Sequence, residues 1–424
     1  AAVFIVLIVL WFNYNLRDRH PDFNIDLVID PPTEPGRLSV GFAKIPITPK
    51  ITDTWNDFNN NAKFEPEQGE TYNDVNSNNR FDPVWIAGFH NRRPAQGVHD
   101  DLWARVMVLD DGATRVAITS IDAIGFIYDD AVDIRKSAHD KINCDYTIIS
   151  STHVHQAPDL IGIWGDSFFK SGVNTEYMRY VKRQTVAAIA TAVKNLVPVK
   201  LKIGQDLEGA IPYVVDSRDP QEMDPGIRII QAIEISSGKT LGSLVSWSNH
   251  PETLWSKNLL ISSDFPHFFR KSIENGVHKG DRLLAQGLGG ITVFVNGAVG
   301  GLMTTNPSHP IPDPFNGQMH KGATFEKAQA QGQQLGLLAL NAIRSADVVE
   351  IDQVGIKIRA KTISIPLDNR NFLLGFLLGV IDHGTTGWLD VKTEVAALRI
   401  GPISIITIPG EIYPEIINGG IVSP

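Results

Sequence analysis

The sequence predicts a mixed α/β fold of the α+β kind. Short runs rich in β-branched residues alternate with longer stretches in which apolar residues recur at helical spacing. Hydrophobic residues make up 43% of the chain and charged residues 20%, a composition typical of a globular protein with a sizeable core. With 424 residues, the chain can form one large elaborated domain or two domains.

The alternation can be followed along the chain. Strands are predicted over Leu38 to Ala43, Trp103 to Leu109, Arg115 to Ile121, Tyr146 to Ser150 and Leu244 to Trp247, and helices over Tyr177 to Leu196 and Glu326 to Ala346. From Val354 to Ile408 the runs are mostly strand-like, interrupted by the apolar stretch Phe372 to Ile381. For Phe372 to Val380 within that stretch, a buried helix is favoured over membrane contact, because the segment is too short to span a bilayer.

The N-terminal residues Ala1 to Phe12 form an unbroken apolar run, and Arg17 and Arg19 follow it. We expect residues 1–16 to be a membrane anchor or the remnant of a signal segment, since such runs end in aromatic and then basic residues. A buried first strand or helix is the alternative. Residues 17–37, rich in Pro and Asp, are predicted to be a linker, and residues 38–424 the folded domain.

Charge and cysteine content exclude two classes of site. The formal net charge is -9 and long basic runs are missing from the sequence, so a nucleic-acid partner is not expected. Cys144 is the single cysteine, so neither an intrachain disulfide nor a thiolate zinc cluster can form from this chain. A metal ion would therefore need histidine, carboxylate or tyrosine ligands.

A long polar insertion, Asp53 to Asn91, contains clustered Asn, Asp, Gly and Pro residues. Such loops often rim a site or bind a metal, but a solvated loop is the default expectation. We find no internal repeat in the chain.

Four polar side chains come shortly after three predicted buried strands. His153 and His155 in STHVHQAPD follow one strand, His250 in NHPETL follows another, and Glu411 follows the late run ISIITIPG. Residues i and i+2 of a strand point to the same side, so His153 and His155 can both bind one metal ion. Alternatively, one of them binds the ion and the other is its acid/base neighbour. Histidines packed at a strand end for structural reasons are the alternative. Two histidines and a carboxylate would form a zinc site if these strand ends converge.

These motifs, taken in order, resemble the catalytic domain of the neutral/alkaline, non-lysosomal ceramidases. The resemblance is carried by VGFAKIPITP, GVHDDLWARVMVLDDG, STHVHQAPD, DSRDP, LGSLVSWSNHPETL, ISSDF, FVNGAVGG and IPGE. It implies a neutral-ceramidase-like fold with a strand-end zinc site, and an enzyme that cleaves ceramide into sphingosine and a fatty acid. It also implies a secreted or membrane-associated, and hence membrane-anchored or exported, location.

The resemblance also assigns roles to individual residues. It makes His153, His250 and Glu411 zinc ligands, and His155 a neighbour that acts on the substrate. Arg218 in DSRDP resembles the active-site arginine that holds the substrate's oxygen; a local salt-bridge network is the alternative for this Asp-Arg-Asp turn. In the family a tyrosine downstream of the glutamate completes the zinc shell and an immunoglobulin-like domain follows. We therefore expect residues 38–424 to be a C-terminally incomplete ceramidase-like catalytic domain.

The predicted function is zinc-dependent hydrolysis of a linear N-acyl amide, with a lipid-like substrate and a membrane surface as partners. Two alternatives stay open. One is a catalytically incomplete, ceramidase-like surface binding protein, and the other is a metal-dependent esterase or phosphatase.

Overall fold

The computed structural model describes residues 2–301, 303–387 and 390–419, and it combines two β-sheets with helices. The helices within these ranges are α1 (Ala2–Leu16), α2 (Tyr128–Ile142), α3 (Thr175–Lys194), α4 (Phe265–Asn275), α5 (Phe325–Arg344), α6 (Arg370–Leu377) and α7 (Pro414–Asn418). Single 3-10 turns occur at Pro66–Gln68 and Ile211–Tyr213.

The strands of the described ranges vary from two-residue ladders to eleven-residue strands. They are β1 (Asp26–Ile29), β2 (Ser39–Pro46), β3 (Thr54–Trp55), β4 (Tyr72–Asn73), β5 (Gly97–Val98), β6 (Trp103–Asp110), β7 (Arg115–Ile121), β8 (Tyr146–Ser151), β9 (Val197–Asp206), β10 (Val215–Asp216), β11 (Ile227–Glu234), β12 (Thr240–Trp247), β13 (Leu260–Ile261), β14 (Gly276–Lys279), β15 (Arg282–Gln286), β16 (Ile291–Asn296), β17 (Met303–Thr304), β18 (Ile311–Pro312), β19 (Met319–His320), β20 (Val349–Ile351), β21 (Ile356–Pro366), β22 (Thr385–Thr386), β23 (Asp390–Ile400) and β24 (Ile403–Thr407).

The larger sheet has nine strands among the described residues, in the order β16-β12-β11-β9-β2-β6-β7-β8, with β20 paired to β9. Its central pairs are antiparallel, whereas β7 with β8 and β12 with β16 are parallel. Each parallel pair is joined by a connection that contains a helix, α2 in the first case and α4 in the second. The sheet is curled, so that strands near its two ends approach each other. The Ser120 hydroxyl of β7 donates to the Phe294 carbonyl of β16 at 2.5 Å.

The smaller sheet has the order β1-β21-β23-β22, with β24 paired to β23, and it packs on one face of the larger sheet. Ile356 and Leu398 of the smaller sheet share one buried cluster with Val40 and Ile148 of the larger sheet. On the opposite face, α2 and α3 cover one half of the large sheet, and α4 and α5 cover the other half. The result is a layered α/β arrangement that buries both faces of the large sheet.

The predicted α/β alternation is confirmed, and most of the predicted elements lie within a few residues of those observed. The prediction for Arg115 to Ile121 matches β7, and those for Tyr177 to Leu196 and Glu326 to Ala346 match α3 and α5 with a shift of one or two residues at each end. Strands β9 and β11 and helices α2 and α4 were missed. The stretch Phe372 to Ile381 contains most of α6, but the helix is only partly buried: Phe376 is inside, while Phe372 and Leu374 are exposed.

The N-terminal apolar run forms α1, which ends at Leu16 and contacts α6. The Asn15 amide donates to the Leu377 carbonyl at 2.8 Å. Residues 17–37 include β1, whose Asp26–Ile29 pairs with β21, so part of the predicted linker is a strand of the smaller sheet. Among the described residues, no helix has the length and hydrophobicity needed to cross a membrane. The division into anchor, linker and catalytic domain stays a prediction.

Candidate metal centre

The carboxyl ends of β8 and β12 meet because the large sheet is curled. His153 lies two residues after β8 and His250 three residues after β12. Both strands belong to the parallel pairs of the sheet, and side chains just beyond the carboxyl ends of parallel strands are where α/β folds usually place ligands. The smaller sheet supplies the third residue, since Glu411 follows β24.

Asn296, at the end of β16, ties the two histidine-bearing segments together. Its side-chain amide donates to the Thr152 carbonyl at 3.1 Å and to the Asn249 carbonyl at 2.9 Å, the residues directly before His153 and His250. Its side-chain oxygen accepts the Asn249 N–H at 3.2 Å. Asn296 belongs to the motif FVNGAVGG, but its role was not predicted from the sequence; a polar residue at the end of an otherwise apolar strand was the available signal.

The carboxylate of Glu411 bridges the two histidines. Its Oε1 lies 3.3 Å from Nε2 of His153, and its Oε2 lies 3.3 Å from Nε2 of His250. The rings of His153 and His250 are 4.8 Å apart between centroids. The three strand ends predicted to converge therefore do so.

Backbone carbonyls fix which ring nitrogens face the carboxylate. Nδ1 of His153 donates to the Ile124 carbonyl at 2.5 Å, and Nδ1 of His250 donates to the Met303 carbonyl at 2.8 Å. A carbonyl only accepts, so in the neutral rings each Nε2 carries a lone pair directed at Glu411. Lone pairs and a carboxylate that face one point need a positive charge between them, supplied either by protonated rings or by a cation.

The donor set and its spacing fit a zinc ion. Zinc takes histidine nitrogen and carboxylate oxygen at about 2.0 to 2.2 Å, and two ligands of a tetrahedral site at that distance lie about 3.3 Å apart. Each histidine Nε2 has this separation from one oxygen of Glu411, His153 from Oε1 and His250 from Oε2. The Nδ1 hydrogen bonds to carbonyls are also the outer-sphere contacts that metal-binding histidines usually make.

His153 has a backbone conformation that is rare for a residue with a side chain. Its φ is 65°, in the left-handed region. Such conformations cost of order 1 to 3 kcal/mol and persist where surrounding structure enforces them, often at functional sites. Here the turn directs the His153 ring toward Glu411 immediately after β8 ends.

His155 lies beside the other two histidines. Its ring centroid is 5.1 Å from that of His153 and 5.8 Å from that of His250. Its ligand atom lies within 4.8 Å of theirs, so these three histidines could also hold a metal ion together. Both of its ring nitrogens are shielded from solvent and make no hydrogen bond within the described part of the chain.

The walls around His155 come from the polar insertion and from the chain after His250. The Phe89 ring contacts His155 edge-on at 5.3 Å, and a side chain at Gly88 would collide with the His155 ring. The buried Arg93 donates to the His155 carbonyl at 2.6 Å and thereby fixes its backbone. The Glu252 carboxylate lies 3.3 Å from Nδ1 of His155.

Burial and the charges of this cluster move the pKa values of its members apart. Burial, together with His153 and His250, lowers the pKa of His155 well below its usual value. Burial raises the pKa of Glu252. When their rings are protonated, His153 and His250 donate hydrogen bonds that strongly lower the pKa of Glu411, which is thus a full carboxylate at neutral pH. Burial opposes protonation of His250, but its hydrogen bond to Glu411, the charges of Glu252 and Glu411 and the Met303 carbonyl together outweigh this effect and raise its pKa.

Arg218 is held in a network with two carboxylates. It forms ion pairs with Asp216 at 2.9 Å and with both oxygens of Glu415, at 2.9 and 3.0 Å. Its guanidinium also lies 4.9 Å from the ring centre of Tyr413, two residues after Glu411. This is the salt-bridge network that the sequence analysis gave as the alternative, extended by Glu415. The active-site role of Arg218 stays a prediction, as do the roles of His153, His155, His250 and Glu411.

An apolar cavity of about 1420 Å³ adjoins the centre, between the large sheet and β24. His153 and Glu411 line it together with isoleucines from both sheets, including Ile148, Ile230 and Ile405. Cavities of this kind accommodate apolar ligands, and polar groups at one end fix their orientation.

Comparisons with known proteins agree with this architecture. The chain superposes on the neutral ceramidase of Pseudomonas aeruginosa with a TM-score of 0.61 and 15% sequence identity, over 88% of this chain and 62% of that one. It superposes on a second structure, "Ceramidase complexed with C2", with a TM-score of 0.60 and 14% identity, over 88% of this chain and 64% of that one. The chain thus spans less than two thirds of the length of these proteins. No protein-family model matches it, and neither does any curated protein sequence. The predicted neutral-ceramidase-like fold is confirmed.

Proposed function

We propose that this protein is a zinc-dependent hydrolase of linear N-acyl amides with lipid-like chains, and that ceramide, cleaved to sphingosine and fatty acid, is the substrate to test first. The observation that carries the proposal is the convergence of Nε2 of His153 and Nε2 of His250 on the two oxygens of Glu411, each at 3.3 Å. The fold shared with ceramidase structures supports the same class of reaction, although a fold alone does not assign one.

His153, His250 and Glu411 would hold the zinc ion. When bound, zinc lowers the pKa of a coordinated water toward 7 and polarises a carbonyl, as hydrolysis of an unreactive amide requires. Glu411 is ionised at neutral pH and can balance part of the charge of the ion. The backbone hydrogen bonds of both histidines keep their Nε2 atoms free to bind it.

His155 would move the proton. Hydrolysis adds a water oxygen to the carbonyl carbon and breaks the C–N bond, and the leaving nitrogen must gain a proton to depart as an amine. The lowered pKa of His155 keeps its ring neutral at pH 7, so the ring can accept the water's proton and then donate it to the amine. Glu252, close to Nδ1, would stabilise the ring while it carries the proton.

The cavity supports the lipid-like part of the proposal. Its isoleucine-rich walls reach His153 and Glu411, so a long apolar chain could lie between the sheets with its amide at the metal. Burial of such a chain gains roughly 0.8 kcal/mol for each CH₂ group.

We also propose that the protein acts at a membrane surface. Support comes from α1, whose apolar side chains are exposed along its length: Val3, Phe4, Ile5, Val6, Leu7, Val9, Leu10 and Trp11. A continuous exposed apolar surface of this kind marks an interaction site.

The proposal is tested by metal content and amide turnover measured together. We expect the purified protein to contain about one zinc ion per chain and to hydrolyse a fluorescent short-chain ceramide. His153→Ala and His250→Ala should each lose the zinc and fall to the background rate. His278→Ala, which removes an exposed histidine, should leave both properties unchanged.

The same measurements distinguish the alternatives. A protein that neither contains nor takes up stoichiometric zinc would contradict the proposal and favour a ceramidase-like binding protein. Ester or phosphate turnover that exceeds amide turnover in a substrate panel would instead identify a metal-dependent esterase or phosphatase.

A further inference from the structure

The polar insertion contains two loops with the same pattern of side chains. Loop one begins DFNNNAKFE at Asp57, and loop two reads DVNSNNRFD from Asp74 to Asp82. Both have Asp at position 1, Asn at positions 3 and 5, a basic residue at 7, Phe at 8 and an acid at 9. This short internal repeat was missed in the sequence analysis, because the two copies are brief and most of their shared residues are ordinary loop residues.

The backbone of loop one is folded around its first aspartate. Oδ1 of Asp57 accepts the Asn61 N–H at 3.1 Å, and Oδ2 accepts the Ala62 N–H at 2.9 Å. Ala62 occupies position 6 with a φ of 61°, where the calcium loop of an EF-hand turns sharply at a glycine. Positions 1, 3 and 5 also supply side-chain calcium ligands in that loop, and position 9 often binds calcium through a water molecule.

The side chains of Asn59 and Asn61 in loop one converge on Glu65. The amide nitrogens of Asn59 and Asn61 lie 3.4 and 2.8 Å from Oε2 of Glu65. Rotation of either amide by half a turn would present its oxygen instead. Neighbouring oxygens around a calcium ion, bound at 2.3 to 2.6 Å, are separated by about 3 Å.

A separate carboxylate, Glu70, independently points to a cation. The turn Pro66–Gln68 and the left-handed Gly69 bring Glu70 back to the loop, where its Oε2 accepts the Glu65 N–H at 2.7 Å. Glu70 is only 4% exposed, and its second oxygen, Oε1, is buried with no hydrogen-bond partner in the described part of the chain. A buried carboxylate oxygen without a partner is costly and indicates a missing ligand such as an ion.

We propose that loop one is a calcium site, formed by Asp57, Asn59, Asn61, Glu65 and Glu70. Oxygen ligands with three carboxylates among them suit calcium, which accepts six to eight oxygens in flexible geometry. The nearby Lys63, 3.3 Å from Glu65, offsets one negative charge and leaves the group with a net negative charge. The carboxylate that accepts the N–H of position 9 is Glu70 in loop one and Asp53 in loop two. Both oxygens of Asp53 accept backbone N–H groups, so neither lacks a partner, and the proposal is therefore limited to loop one.

Calcium in loop one would stabilise the wall of the candidate metal centre. Phe64 of this loop donates its N–H to the Arg92 carbonyl at 2.7 Å, and its ring packs against Trp55 and Phe81. The next residue, Arg93, holds the His155 backbone. The calcium ion would thus fix the segment from loop one to Arg93, which contacts His155. Calcium binding at this site does not depend on hydrolysis.

The site is tested by calorimetric titration of the full chain with calcium chloride in calcium-free buffer. We expect saturable binding, and a loss of one calcium per chain or at least a tenfold weakening in Glu70→Gln, which keeps the size of the side chain. Asp57→Asn provides a second variant with the same expected result. Asp74→Asn, the matching change in loop two, should retain the binding at loop one.

Thermal melting provides a second readout that does not involve zinc or substrate. Calcium should raise the Tm of the wild type by several degrees and that of Glu70→Gln by less. The proposal is overturned if the wild type binds no calcium at millimolar concentrations. It is also overturned if Glu70→Gln and Asp57→Asn bind calcium as tightly, and in the same number, as the wild type.

Discussion

At the scale of single residues, the two histidines of STHVHQAPD occupy different surroundings although one residue separates them. The His153 ring is anchored by the Ile124 carbonyl and faces Glu411, whereas both ring nitrogens of His155 are buried and make no hydrogen bond within the described residues. A ligand needs a fixed tautomer, and a proton carrier needs a free lone pair. This difference supports distinct roles for the two rings.

His155→Gln separates these roles. The variant should keep its zinc, because His153, His250 and Glu411 are untouched, but amide hydrolysis should fall by about 100-fold or more through loss of the acid/base group. Zinc content by mass spectrometry and kcat on a short-chain ceramide are the two measurements. Loss of the zinc in this variant would instead show that His155 is itself a ligand.

Individual site residues could be predicted because polar side chains directly after apolar strands are visible in a sequence. His153, His250 and Glu411 were selected in this way, and the structure brings them together. The partners of Arg218 could be predicted only in part, since Asp216 is close in sequence whereas Glu415 comes from α7. The unpaired oxygen of Glu70 could not be predicted at all, because burial depends on the folded chain.

At the scale of elements, the centre depends on strand ends that are distant along the sheet path. Strand β8 lies at one end of this path and β12 next to the other end, so only the curl of the sheet brings them together. Asn296 on β16 bridges the segments that follow β8 and β12 with two donated hydrogen bonds. It is therefore expected to position both histidines without touching a metal ion.

Asn296→Ala tests this positioning role. The change leaves two carbonyls without their donor and should destabilise the protein by about 1 to 3 kcal/mol. Zinc affinity should fall about 10- to 100-fold, as for other outer contacts of metal ligands. Urea unfolding and zinc competition with a chelator are the measurements.

Asn195→Ala is the matched control for this change, because it also removes an asparagine donor, here to the Phe42 carbonyl at 3.0 Å. It should reduce stability but leave zinc affinity unchanged. Equal losses of zinc affinity in the two variants would contradict a specific role for Asn296.

Elements with strong periodicity were predicted from the sequence, and those without it were missed. Helices α3 and α5 have small and apolar residues at helical spacing over 20 residues each, and both were found. Helix α4 was missed because it contains Pro266 and only 11 residues. Strand β9 was missed because lysines interrupt its apolar residues, as expected for a strand with partly exposed positions.

At the scale of the whole molecule, helix α1 and the layered domain form one continuous structure. Asn15 and Leu16 bond to the region of α6 and β22. The rest of α1 exposes its apolar side chains. If α1 contacts lipid, the layered domain beside it is held close to the membrane surface.

Replacing Leu7 and Leu10 by Glu tests this membrane contact. The double variant should bind less to vesicles of phosphatidylcholine, since each apolar side chain withdrawn from lipid costs roughly 1.5 to 3 kcal/mol. Co-sedimentation with vesicles is the measurement, and activity on a soluble short-chain amide should remain unchanged. Equal vesicle binding by the wild type and the variant would contradict the proposal.

The overall topology was predictable only through the family resemblance. Alternating elements identified a mixed α/β class. The pairing of β1 with β21, however, joins strands that are more than 300 residues apart, and the local sequence contains no signal for it. Such long-range pairing is determined by the burial of whole sheet faces, as in the cluster that Val40 and Ile356 share.

The position of Glu411 after β24 has a consequence for biosynthesis. A ribosome releases His153 and His250 well before it reaches this glutamate, and proteins fold progressively as they emerge. A nascent chain would thus contain His153 and His250 before it contains the carboxylate of Glu411. If these three residues hold the proposed zinc ion, hydrolytic activity would arise only late in translation.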